Sequence, residues 1–246
     1  GYGHLVRSRA LTEELLTRGH TVTVATTTPD PAQSVFPNRI EHVSLPSRSD
    51  PEPFVAWLDM TDPDIVFTDS YPVDTAYQRA IRQRVPLAVL QDDARHTVCA
   101  DLLLNGNLYA TDLDYTFEGS APELCLGSEY VLLRDEIRQQ ITGEEPFAPT
   151  PESLIVMMGG NDVRNSTPMI LEAVDECHYT EAVTVVMGPG YDNVAAIHDT
   201  ATTLSQPVEC VRDPADLPTR MRDADIAITS TGTTVYELLG LQTPFL

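Results

Sequence analysis

An α/β protein built on two successive parallel sheets is the fold class this sequence predicts, and three observations carry it. Short β-branched runs alternate with helical patterns, as a parallel sheet covered on both faces requires. A stretch rich in Pro and Glu, GEEPFAPTPES, interrupts the alternation once and reads as an interdomain linker. The same strand-helix grammar then resumes. Two Rossmann-like units are expected, residues 1–142 and 153–246, joined by 143–152.

The chain begins GYGHLVR, without a Met and without a strand ahead of its glycines. This opening reads as a strand-to-helix turn whose strand is missing, and both ends of the fold are expected to be truncated. Leu5, Leu11, Leu15 and Leu16 fall near helical spacing, and Gly19 stands where a helix C-cap belongs. HTVTVAT (20–26), DIVFTDS (64–70), PLAVLQDD (86–93) and ADLLLNGN (100–107) predict strands, while 74–84 and 133–141 predict helices. The second unit offers strands SLIVMMGG (153–160), AVTVVMG (182–188), VECVRD (208–213) and DIAITST (225–231). Helices are expected between and after them, near 166–177, 192–204, 216–223 and 233–241, and the final TPFL opens one more strand.

Composition narrows the partners. Of 246 residues, 37 are acidic and 15 basic, every basic one is Arg, and the formal net charge is −22. Such a surface repels nucleic acid phosphates and anionic membranes, so neither is an expected partner. It suits a salt-rich cytosol, where a Debye length of about 3 Å at 1 M screens self-repulsion. A halophilic source follows as an expectation. Cys99, Cys125, Cys177 and Cys210 are irregularly spaced with no CxxC, which reads as reduced thiols in a cytoplasm. No run approaches the roughly 18 apolar residues of a membrane span, and no residue cluster has metal-ligand spacing. No metal or cofactor is expected.

In open parallel sheets ligands sit beyond the C-terminal strand ends. Four loops stand there: GYGH, DSYP, MGGND and STGTT. Gly3 permits close backbone approach, and His4 falls at the first turn of its helix, where the dipole favours a neutral imidazole able to take a proton. A structural His is the alternative. Arg7, one turn on, either offsets ligand charge or makes a surface ion pair. Tyr71 follows Asp69 at the same rim, as an aromatic lid or as part of a site. Asp92 and Asp93 read as a solvated edge in an acid-rich chain. Gly159, Gly160 and Asn161 in MGGND let backbone approach a ligand. Thr231, Gly232, Thr233 and Thr234 offer hydroxyls and amides at a helix start, an anion site without a cationic side chain. Glu237 suits a ribose diol, yet with Thr234 it also has the spacing of a capping box.

Taken in order, GYGHLVR, TDSYPVD, QDDARHTVCADLLLN, LGSEYVLLRDEI, MMGGNDVRN and STGTTVYELL resemble one family over nearly the whole chain. It is the UDP-2,4-diacetamido-2,4,6-trideoxy-β-L-altropyranose hydrolases of pseudaminic acid biosynthesis, themselves similar to the N-acetylglucosaminyltransferase of the peptidoglycan lipid precursor. The resemblance implies a GT-B architecture, with parallel sheets facing across a cleft that holds the active site. It implies His4 as the base that activates water and Tyr71 in the sugar site. Gly159, Gly160, the Thr231–Thr234 turn and Glu237 would hold UDP. The implied reaction is attack of water on the anomeric carbon with inversion and without a metal ion. Two other readings stand beside it, an inverting UDP-sugar glycosyltransferase of the same fold and a noncatalytic nucleotide-sugar binding module.

Overall fold

The computed structural model describes residues 2–37, 39–143, 147, 149–177 and 182–246. Gly1 of the opening turn, and residues 144–146 and 148 of the expected linker, lie outside the described residues. The chain forms two compact units, His4–Leu132 and Leu133–Leu246, with Tyr2 and Gly3 grouped with the latter.

In the first unit, α1 (Tyr2–Thr17) begins at once, so Gly3 and His4 lie in its first turn rather than in a loop before it. Its end is set by Gly19, whose φ of +87° admits the left-handed turn. Gly19 N–H donates to Leu16 and His20 N–H to Leu15, the paired closure that caps a helix through glycine. Then come β1 (Thr23–Thr26), α2 (Pro29–Val35), β2 (Glu41–Ser44), α3 (Glu52–Thr61), β3 (Val66–Thr68), α4 (Thr75–Arg82), β4 (Leu87–Leu90), β5 (Leu102–Asn105) and β6 (Glu123–Leu126). Every pairing is parallel, β1 with β2 and, in a second sheet, β3-β4-β5-β6. All four residues of β4 are buried, which is why its sequence is a continuous apolar run rather than an alternation.

Helix α4 illustrates how the local sequence dictates the packing. Asp74 caps it by accepting the Tyr77 N–H at 2.9 Å, and Arg79 and Arg82 occupy the last turn, where they complement the helix dipole. Tyr77 and Ile81 face inward to join Leu87, Val89, Val98 and Leu103 in the core. Gln78 is fully buried on the same face but satisfied, donating to the Val73 carbonyl and accepting the Cys99 N–H.

The second unit comprises α5 (Asp135–Arg138), β7 (Ser153–Met157), α6 (Ser166–Cys177), β8 (Ala182–Met187), α7 (Val194–Thr203), β9 (Val208–Arg212), α8 (Leu217–Asp223), β10 (Ile226–Thr229) and α9 (Thr233–Leu241). Its strands order as β10-β7-β8-β9, all parallel. Phe245 bridges Ala227 in parallel, so the TPFL stretch does run alongside β10.

Two differences from the sequence reading have physical causes. The helix expected over 133–141 shrinks to the four residues of α5, because Arg134 is extended (ψ 150°). The break between units comes earlier than the Pro/Glu-rich stretch, at Leu133. Ile137 is fully buried among Met221, Leu238 and Leu241, and these contacts tie its segment to the second unit. No described helix is long and apolar enough to cross a membrane.

Candidate active site

In the first unit, α1 and the loops after β3 and β4 bring His4, Arg7, Asp69, Tyr71 and Asp92 into one network. Asp69 is at its centre, with its side chain only 8% exposed. His4 Nδ1 lies 2.5 Å from Asp69 Oδ1. Arg7 Nε donates to Oδ2 at 2.7 Å, Arg7 Nη2 donates to Oδ1, and Ser8 Oγ donates to Oδ2 at 3.1 Å. Burial pushes the Asp69 carboxyl up, but Arg7 and His4 outweigh it and hold the group below the usual carboxylate range.

An ionised Asp69 determines the tautomer of His4. A carboxylate only accepts, so Nδ1 donates to it and Nε2 is the ring nitrogen left for other partners. Arg7 Nη2 also lies 3.1 Å from Nδ1, but with that nitrogen protonated the approach is a contact rather than a hydrogen bond. The imidazole is thereby fixed in orientation, and its side chain is 22% exposed.

Arg7 does not face open solvent. Besides Asp69 it donates through Nη1 to Asp92 Oδ1 at 2.5 Å. Burial lowers its pKa, but the two carboxylates outweigh that and raise it, so the guanidinium stays charged. Asp92 in turn accepts from Tyr71 Oη at 3.0 Å and from Asn107 Nδ2 at 3.1 Å. Burial raises the Asp92 pKa, and Arg7, Tyr71 and Asn107 together bring it below its ordinary value. Tyr71, 44% exposed, is pushed up to about 12 by burial and the Asp92 charge, and so remains a donor. Its ring meets the His4 ring edge-on at 4.8 Å, and Arg95 lies over it at 4.8 Å. A shallow pocket opens here, lined by His4, Tyr71, Val73, Leu90, Gln91 and His96 among others. The solvated edge expected at Asp92 and Asp93 is thus half replaced, since Asp92 belongs to the network. Asp69 and Asp92 are the members of this network that the sequence did not single out.

The second unit builds a different surface from backbone. Gly159 has φ +79°, and a Cβ there would sit 3.4 Å from Ser230 Oγ, so the MGGND and STGTT loops lie side by side. The Gly160 carbonyl accepts the Gly190 N–H at 3.0 Å. A Cβ on Gly188 would fall 2.5 Å from that same carbonyl oxygen, so the turn after β8 tolerates only glycine at this point. Asn161 is exposed beside them.

Helix starts in this unit differ. Asp162 occupies the start of α6, accepting the Ser166 N–H at 2.9 Å and the Thr167 N–H and Oγ1, each at 2.7 Å. Helix α9 has Gly232 at its N-cap and no capping side chain, while Thr231 and Gly232 are exposed. Because α9 begins at Thr233, Thr234 is already inside it, and the capping box with Glu237 does not form. Glu237 instead accepts from Arg134, Nε to Oε1 at 2.7 Å and Nη2 to Oε2 at 3.0 Å. Among the described residues, no group of three His, Cys, Asp or Glu side chains is disposed to hold a metal ion.

Comparison with known proteins agrees with this architecture. The chain superposes on MurG of Acinetobacter baumannii with a TM-score of 0.63 at 12% identity, over 97% of this chain and 73% of that one. A putative UDP-N-acetylglucosamine 2-epimerase from Listeria monocytogenes gives 0.58 at 14% identity, covering 98% and 75%. A glycosyltransferase from Rickettsia africae gives 0.56 at 12%, covering 98% and 74%. The fold is GT-B. In sequence, the chain is 22% identical over 192 residues to the uncharacterized protein MJ1062 of Methanocaldococcus jannaschii, 74% of this chain but only 39% of that protein. The chain thus spans about two fifths of that relative's length. No protein-family model matches it.

Proposed function

We propose that this chain acts on a UDP-linked amino sugar and hydrolyses it at the anomeric carbon, as in nonulosonic (pseudaminic-type) acid biosynthesis. The observation that carries the reading is the His4–Asp69 pair, in which the carboxylate orients through Nδ1 an imidazole that lines a small pocket. Nε2 takes a proton from water, and the water oxygen bonds to C1 of the sugar. The C1–O bond to the diphosphate breaks, its electron pair leaves with UDP, and the configuration at C1 inverts. His4 is the general base, and Tyr71, held by Asp92, borders the sugar. Arg7 is spent on Asp69 and Asp92, so its part is to fix the base rather than to meet the diphosphate.

The nucleotide falls to the second unit. Gly159 and Gly160 leave room for a ligand against backbone, and Asn161, Thr231, Gly232, Thr233 and Thr234 supply donors at the uncapped start of α9. Glu237 accepts the ribose hydroxyls. A chain without Lys grips a diphosphate with amides. The UDP half of the reading draws support from the epimerase and glycosyltransferase titles among its structural relatives.

The same titles favour a second reading, an inverting UDP-sugar glycosyltransferase in which His4 deprotonates a sugar hydroxyl. Incubating the UDP-sugar without acceptor separates the two. Stoichiometric free sugar and UDP are expected, whereas release only with an added acceptor gives the transferase. The His4→Ala variant is expected to lose at least about 10²-fold in kcat while UDP affinity stays within about twofold. Unchanged turnover in that variant would refute His4 as the base, whereas a wild-type chain that binds UDP but releases no sugar with or without acceptor would be a binding module.

A further inference from the structure

The stretch ADLLLNGN ends in an Asn-Gly-Asn turn to which the reaction scheme gives no part. In the fold this turn follows β5 and meets the histidine network at Asp92. Asn105 is 1% exposed, and its carboxamide is engaged at both ends. Its Nδ2 donates to Tyr115 Oη at 2.9 Å, and its Oδ1 accepts the Asn107 N–H at 3.0 Å. Gly106 passes so close to the next segment that a Cβ there would lie 2.7 Å from Val131 Cα and 2.9 Å from the Tyr130 carbonyl oxygen. Only glycine fits at that point, and the turn is pinned.

Asn107 then aims its amide nitrogen at two oxygens, Asn105 Oδ1 at 2.6 Å and Asp92 Oδ1 at 3.1 Å. That orientation is forced. Asn105 Oδ1 is already an acceptor for a backbone N–H and the Asp92 carboxylate only accepts, so the oxygen of Asn107 cannot face either. Asp92 is thereby loaded unequally: Oδ1 accepts from Arg7 Nη1 and Asn107 Nδ2, while Oδ2 accepts from Tyr71 Oη at 3.0 Å. A single bond from Arg7 would leave the carboxylate free to pivot about it. The second donor, from another element, removes the pivot, and turning Oδ2 away from Tyr71 would carry Oδ1 off both its donors. Tyr71 depends on that hold, since it is 44% exposed on the loop after β3, and its ring and that of His4, edge-on at 4.8 Å, wall the same pocket.

We propose that Asn107 is a positioning residue: it locks the Asp92 carboxylate from the β5 side, and through it holds Tyr71 against His4 at the pocket. The consequence for turnover rests on the sugar role proposed above for Tyr71.

The test places 3-fluorotyrosine at position 71 of the full chain and follows its phenol titration by fluorine NMR. Wild type, Asn107→Ala, Asn107→Ser and Asp92→Asn are compared, each checked by thermal melting. His4, Arg7, Asp93, Arg95 and His96 also stand around Tyr71, but they are present in every chain, so the differences read Asp92. Burial and then the Asp92 charge raise the Tyr71 pKa, so Asp92→Asn is expected to lower the midpoint by about one pH unit or more. Asn107→Ala is expected to reproduce at least about half of that fall, because the released carboxylate swings away from the phenol. A wild-type midpoint in Asn107→Ala overturns the inference, and so does the absence of any fall in Asp92→Asn. Should Asn107→Ala not fold, Asn107→Ser, too short to reach Asp92, is read in the same way.

Turnover tests the consequence, with UDP-2,4-diacetamido-2,4,6-trideoxy-β-L-altropyranose as the probe. Asn107→Ala is expected to lose about tenfold or more in kcat, but no more than about twofold in the Tyr71→Phe background. Losses that multiply in the double variant would give Asn107 a route other than Tyr71 and overturn the inference. If Tyr71→Phe turns over like wild type, or wild type releases no sugar, the sugar reading of Tyr71 fails, while the fluorine titration still decides for or against Asn107.

Discussion

The two units place their candidate chemistry on opposite kinds of material. Around Asp69 the first unit gathers a histidine, an arginine, a serine and, through Asp92, a tyrosine and an asparagine, every one fixed by side-chain hydrogen bonds. Around Gly159 and Gly160 the second unit offers mostly backbone, with glycine where chains pass closely and an uncapped helix start. Side chains with tunable protons suit the making and breaking of bonds. Fixed amides suit the holding of a charged leaving group that must not be trapped. The contrast predicts that damage to the first region is felt in kcat and damage to the second in nucleotide affinity.

The sharpest way to break that division is Asp69→Asn. An amide offers one acceptor oxygen where the carboxylate offers two, and Arg7 demands both. With its oxygen taken by Arg7, the amide nitrogen faces His4 Nδ1 and favours the tautomer with the proton on Nε2. The base then disappears without leaving the site. A loss on the order of 10²–10⁴ in kcat is expected with UDP affinity unchanged, read from turnover and calorimetry. A loss carried by affinity would merge the two regions into one.

Next in size is Gly188→Ala. The added methyl must push back the Gly160 backbone, which cannot swing away as a side chain could. A cost of about 1–3 kcal/mol is expected, shared between melting temperature and a UDP Kd raised several-fold, while kcat at saturation holds. An unaltered Kd would mean that the glycine loop serves only the turn.

How much of this was legible in the sequence depended on distance along the chain. The buried strands announced themselves, since Leu87–Leu90 needs no partner's sequence to read as apolar. His4, Arg7 and Tyr71 stood out by position in their loops. Asp69 and Asp92 did not, because Arg7, which joins them, lies 62 and 85 residues away and carboxylates are common in this chain. Short edge elements such as β2 and β6 were silent for a related reason: β2 has no fully buried residue, so no strong apolar period marks it. The capping box at Thr234 failed by the smallest margin, the helix starting at Thr233 and leaving the spacing correct but the threonine inside. Arg134 carried no signal at all, since its meaning lies in a carboxylate 103 residues on.

The smallest effect expected is also the most local. Asp92 has a depressed pKa in the folded chain, so it stabilises the fold above its unfolded value of about 3.9, and that contribution fades as pH falls through the lower folded value. The chain has one Trp, Trp57, which stacks on Phe54 in the first unit's core, so fluorescence excited selectively at tryptophan reports that unit. Urea unfolding followed at Trp57 is expected to show Asp92→Asn less stable than wild type by about 1–3 kcal/mol at neutral pH, since Arg7 loses half its charge partner. The gap should begin to close below about pH 4, where wild type loses the same charge by protonation. Asn keeps its shape at every pH, so a gap that stayed constant into acid would place the effect in packing, and the network around Asp69 would then be held by fit rather than by charge.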